Sequence, residues 1–138
     1  MMRRLDQRGV AALEFCLVAV VFLTLMFTIF DLGRYTIAVQ SLRALANAAA
    51  RTTMISDCYV QSVMKKATPT CSGDPLSTAT KQAIAPFLYS AGLTPTISIP
   101  ATATSPFVVT ASLPGFTMVM PIWGTRLNAP STFTKIPF

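Results

Sequence analysis

The chain has 138 residues, enough for one domain, with hydrophobic residues at 52% and charged residues at 12%. Soluble domains average about 25% charged, and the apolar excess here sits mostly in the first third, which points to a membrane segment rather than an oversized core. Histidine is absent, which removes the usual general base and the commonest metal ligand, and the charge of +6 comes from scattered residues with no basic run beyond Lys65-Lys66, so nucleic acid is an unlikely partner on composition. No nucleophile–base pair, metal-ligand spacing or phosphate-cradling glycine loop is present; no catalytic residue, metal or cofactor is expected, and the chain does not read as an enzyme.

Residues 1–9 (MMRRLDQRG) carry Arg3, Arg4 and Arg8 against the single acid Asp6. Residues 10–30 are then apolar except for Glu14, Thr24 and Thr28. At a rise of about 1.5 Å per residue, such a run spans about 30 Å as a helix, one hydrocarbon core of a bilayer. The threonine hydroxyls can bond back to carbonyls one turn earlier. Asp31 and Arg34 mark the far interface. The arginines crowding the near end place the N-terminus in the cytoplasm and the rest of the chain outside, by the positive-inside rule. The apolar stretch is too long for the h-region of an ordinary secretory signal, and the nearest small-x-small site, Ala44-Leu45-Ala46, lies well beyond it.

Glu14 is the anomaly, because a carboxylate inside a membrane helix is costly. Three plain readings compete: it snorkels to the headgroups, it is protonated, or the span starts at Phe15. The residues around it support another. The sequence Gly9-Val10-Ala11-Ala12-Leu13-Glu14-Phe15 resembles the class III signal of type IV pilins, a basic leader ending in Gly followed by an apolar helix whose fifth residue is Glu. The resemblance implies that a prepilin peptidase cuts between Gly9 and Val10 on the cytoplasmic face, and that Glu14 is the assembly residue. Glu14 lies one helical turn beyond Val10 on the same face. It can therefore pair with the α-ammonium of a neighbouring subunit, a register device more than a source of stability.

The stretch from Glu14-Phe15 through Asp31-Leu32-Gly33-Arg34 to Ala46-Asn47-Ala48-Ala49-Ala50-Arg51 is similar to TadE-like minor pilins (pseudopilins) of tight-adherence (Tad/Flp) systems. That likeness covers about residues 3–54. It implies an α+β pilin-like fold and, as partners, the peptidase, other pilin subunits, the inner-membrane assembly machinery and the lipid bilayer. The alternative is a plain single-pass membrane protein whose outer domain binds a partner.

Residues 33–54 continue the helix, with Tyr35, Ala38, Val39, Leu42, Leu45, Ala46 and Ala49 at steps of three and four, and with Arg43, Asn47 and Arg51 on the opposite side. Cys58 and Cys71 flank a segment containing Pro69. Outside the cytoplasm they can form a disulfide closing a loop of about 14 residues. Cys16, within the span, reads as a small apolar residue. Residues 76–91 read as a second, shorter helix that Pro86 kinks or divides and Gly92 stops. Beyond it, residues 96–99, 107–113 and 131–136 show strand character and predict a small antiparallel sheet on the second half of the long helix. The apolar stretch 113–123 contains Trp123, expected either to anchor its turn in the core or to form a patch facing another subunit or the membrane. The chain thus divides into a leader (1–9), a transmembrane helix (10–31), its continuation (32–55) and a small extracytoplasmic α+β domain (56–138).

Overall fold

The computed structural model describes residues 7–100 and 106–137, with side chains from Gly9 onward. Of the expected leader, residues 1–6 lie outside the described residues.

One helix, α1 (Gln7–Met54), dominates the molecule with 48 residues, a length of about 70 Å at the standard rise. It is continuous because nothing in it breaks a helix: the first proline of the chain is Pro69. Within the apolar half, the Thr24 hydroxyl donates to the Val20 carbonyl at 2.6 Å and the Thr28 hydroxyl to the Thr24 carbonyl at 2.7 Å. Those hydroxyls are thereby satisfied by the helix itself, without water or a partner. Arg51 in the last turn complements the negative end of the helix dipole.

A helix absent from the sequence expectations follows, α2 (Asp57–Met64). It buries no residue fully, so it leaves no periodic apolar stripe to read. It is attached by Cys58, bonded to Cys71, and by Tyr59, whose ring meets Phe107 edge-on at 6.2 Å between centroids and whose hydroxyl donates to the Pro137 carbonyl at 3.1 Å. The helix expected over 76–91 is two helices, α3 (Thr78–Ile84) and α4 (Pro86–Ser90). The break falls at Ala85, with φ −129° and ψ 59°. A residue preceding proline is pushed out of the helical region by the pyrrolidine ring, and proline itself has no N–H to continue the ladder. Ser77 caps α3 by accepting from the Thr80 N–H at 3.2 Å, and Gly92, at φ 72°, takes the left-handed conformation that ends α4.

Three strands complete the fold: β1 (Thr96–Ser98), β2 (Phe107–Ser112) and β3 (Ser131–Ile136), in the order β1-β2-β3 and antiparallel throughout. Strand β2 is central and alternates buried and half-buried residues. Its inward row, Phe107, Val109 and Ala111, pairs across with Ile136, Thr134 and Thr132 of β3. That row lies on the second half of α1, which contributes Ala38, Leu42, Leu45, Ala46, Ala49 and Ala50 to the core. Alanine at four of these six positions lets the sheet approach the helix closely, while Phe107, Phe116, Leu88 and Leu113 fill the space around it. The architecture is α+β, as expected. Residues 56–138 share their core with α1 rather than enclosing one of their own.

Candidate functional site

Chemistry-bearing side chains are concentrated along α1, in two places. The first is its beginning. Gly9, Val10 and Glu14 occupy the opening turns of the helix, and all three are exposed. Around Glu14, Leu13, Phe15, Leu17 and Val18 are each more than half exposed. The most apolar 18-residue window of this helix has mean hydropathy 2.6 and none of it is buried against the protein. Leaving such a surface in water costs about 25 cal/mol per Å², so it favours an apolar covering, which the described residues do not supply. Glu14 sits within this band, and among the described residues no ion pair involves it. Cys16, two residues on, is a free, exposed thiol on the same apolar stretch.

Gly9 is informative because the fold makes no demand for it. A Cβ built there meets nothing within 4 Å. Glycine inside a helix costs about 1 kcal/mol relative to alanine. Neither packing nor backbone geometry in this protein offsets that cost.

The second place is where α1 leaves its apolar half. Asp31 is only 2% exposed. Its carboxylate accepts from the Val119 N–H at 3.1 and 3.0 Å, one contact to each oxygen, and from the Met120 N–H at 2.9 Å. A buried carboxylate is tolerated only when hydrogen-bonded, and these backbone donors meet that requirement. The Arg34 guanidinium approaches Asp31 to 3.6 Å and lies 5.6 Å from the centre of the Phe116 ring. With 43% of its side chain exposed, Arg34 adds little as an ion pair. The backbone bonds carry the joint. They tie the loop after β2 to the helix, 88 and 89 residues away in sequence. The sequence marked Asp31 and Arg34 only as the far edge of the span. Nothing in it could pair Asp31 with Val119, because the partners are backbone groups without a side-chain signature.

Asp31→Ala is therefore expected to destabilise the folded chain by about 1.5–3 kcal/mol, the usual worth of hydrogen bonds to a charged group. Asp31→Asn, which keeps an acceptor oxygen, is expected to cost less. Hydrogen exchange at Val119 and Met120, alongside urea unfolding in detergent, reads both effects.

The remaining expected positions are elsewhere. Cys58 and Cys71 have their sulfurs at bonding distance and their Cα atoms 5.6 Å apart, within the range of a disulfide. Asp57 is exposed in the first turn of α2, and Asp74 is salt-bridged to Lys81 and accepts from the Leu76 N–H. Trp123 lies in a 3₁₀ turn (Pro121–Trp123) and is half-buried, but its neighbours Val119 and Ile122 are 69% and 59% exposed. The stretch 113–123 is thus divided, with Leu113 and Phe116 in the core and the turn at the surface. Among the described residues, no group of three or more His, Cys, Asp or Glu side chains is placed to hold a metal ion.

Comparison with known proteins adds one finding. Residues 9–51 match the family profile described as TadE-like protein. No curated protein and no solved structure matches the chain. The matched segment begins at Gly9, contains Glu14 and Asp31, and ends at Arg51 in the last turn of α1. Over this segment, less than half of its length, the chain is similar to TadE-like proteins, and the helix that carries the match is long and apolar enough to cross a membrane.

Proposed function

We propose that the chain is a minor pilin-type subunit, cut by a prepilin peptidase between Gly9 and Val10 and then assembled with other pilin subunits through Glu14. The observation that carries this reading is the pairing of Gly9 and Glu14 at the exposed start of α1, where neither does anything for the fold. A glycine and a carboxylate that answer to nothing among the described residues suit agents outside the chain: a protease that needs a small residue, and an ammonium group that needs a counter-charge. Cleavage exposes the α-amino group of Val10, one turn from Glu14. In the membrane each charge is costly alone, and pairing between neighbouring subunits relieves both.

The role is structural. In this reading the N-terminus faces the cytoplasm, residues 10–31 cross the inner membrane, and the domain built on residues 32–138 is periplasmic or incorporated in the pilus. The arginines of residues 1–9 support that orientation. So does the placement of Cys58 and Cys71, since a disulfide persists in an oxidising compartment. Their bond closes a sequence separation of 13, and its reduction, or Cys58→Ser, is expected to lower stability by about 3 kcal/mol on the chain-entropy account. Unfolding midpoints with and without reductant measure it.

N-terminal sequencing of the protein recovered from membranes tests the central claim. A terminus at Val10 is expected. A terminus at Met1 makes the chain an uncut single-pass anchor, and one at Asn47 makes it a secreted product of an ordinary signal peptidase.

A further inference from the structure

We propose that the turn at residues 118–123 is a second membrane contact, a foot by which the domain rests on the lipid surface beside its own anchor. The proposal rests on the membrane reading of residues 10–31.

Its first support is position. Phe30 is the last apolar residue of the span, and Asp31, next in the helix, holds the Val119 and Met120 amides. The next fully buried residue of α1 is Ala38, about 10 Å further along the axis. Of the domain, the 118–120 segment therefore lies nearest the point where α1 leaves the apolar stretch. Phe27, Phe30, Asp31, Arg34 and Val119 line one shallow depression there. The apolar surface of the span runs into that of the turn, interrupted there by the buried carboxylate and the part-exposed Arg34.

Its second support is composition. Val119 and Ile122 point outward, 69% and 59% exposed, and Pro121 between them is exposed as well. Trp123 is half-buried behind them, its Nε1 buried and without a hydrogen-bond partner among the described residues. Residues 113–130 contain no acid, Arg126 is exposed just past the turn, and Arg34 on α1 lines the same depression as Val119. Apolar residues at the tip with tryptophan and arginine behind them suit the headgroup boundary of an anionic bilayer. A soluble partner would have to recognise a patch that the bilayer already meets.

The chain carries one tryptophan and one free cysteine, Cys16, which make the test direct. Trp123→Phe/Ile122→Trp moves the sole indole to the exposed tip. The full chain, labelled at Cys16 with a small fluorophore, is placed in phosphatidylcholine–phosphatidylglycerol vesicles. Lipids brominated at shallow acyl positions and aqueous iodide are the two quenchers. Expected is strong quenching of the indole by the brominated lipid and weak quenching by iodide, at a depth of about 5–10 Å as for other interfacial segments. Adding Val119→Asp should reverse that order, while Phe133→Asp, on the exposed face of β3, should leave it unchanged.

If the Cys16 label is quenched by lipid but the indole at 122 is open to iodide, the foot is refuted and the anchor stands. If neither is quenched by lipid, the membrane reading fails and takes the foot with it. If the indole is shielded only at high protein-to-lipid ratio, a neighbouring subunit covers the turn, and that also overturns the proposal.

Discussion

Gly9→Leu is expected to leave the full-length chain in the membrane, slower on a gel than the processed wild type by the mass of its leader. The substitution does not threaten the fold. Space around a Cβ at position 9 is open, and leucine forms helix better than glycine by about 0.5–1 kcal/mol. The variant should therefore fold at least as well as wild type and lose only what an external protease reads. Glu14→Ala separates the next step. Glu14 is exposed and pairs with nothing among the described residues, so the variant should insert and be cut at Gly9. It should then fail to enter filaments, because the Val10 ammonium of a neighbour meets no counter-charge. A processed, inserted Glu14→Ala chain that still assembles would remove the assembly role of that residue while leaving processing intact. Equal mobility of Gly9→Leu and wild type would instead favour the uncut single-pass anchor.

Phe107→Ala is the largest stability effect expected, about 3–5 kcal/mol. Phe107 is fully buried at the start of β2, opposite Ile136 and edge-on to Tyr59. Its ring thus joins the sheet to α2 and to the last strand, and α2 has no fully buried residue of its own with which to compensate. A domain of this size has about 5–15 kcal/mol in total, so the loss is a large fraction of the whole. Removing the Tyr59 hydroxyl instead, by Tyr59→Phe, should cost about 1 kcal/mol, because one hydrogen bond to a partly exposed carbonyl is lost and the ring contact stays. Thermal unfolding in detergent separates the two by their midpoints.

The long helix was legible in the sequence because it is over-determined: an apolar run of membrane length, then a three–four stripe, and no proline before Pro69. The three strands were legible for a similar reason, since β-branched and alternating segments bounded by proline leave few alternatives. Helix α2 was not, because a helix that buries no residue fully has no stripe to display. Pro86 announced a break, and the structure put it at Ala85, one residue earlier, where the steric effect of proline falls. At the candidate site, the sequence showed Gly9, Val10 and Glu14 through a local pattern. It hid the function of Asp31, which depends on amides brought from the far end of the chain. Trp123 was left between core and surface, and the structure shows why: the ring is half-buried while the residues on either side of its turn face outward.

The shared spine has a mechanical consequence. No linker separates the apolar half of α1 from the half that forms the core, and Asp31 bolts the domain to the helix at the junction. Tension applied along the anchor is thus delivered straight into the contact between α1 and the sheet, not absorbed by a slack tether. Rotation of the anchor about its axis turns the domain with it. The azimuth of the domain about the helix axis is fixed by the angular position of Ala38 and Leu42 relative to Glu14, a quantity that inserting one residue between them would change by about 100°.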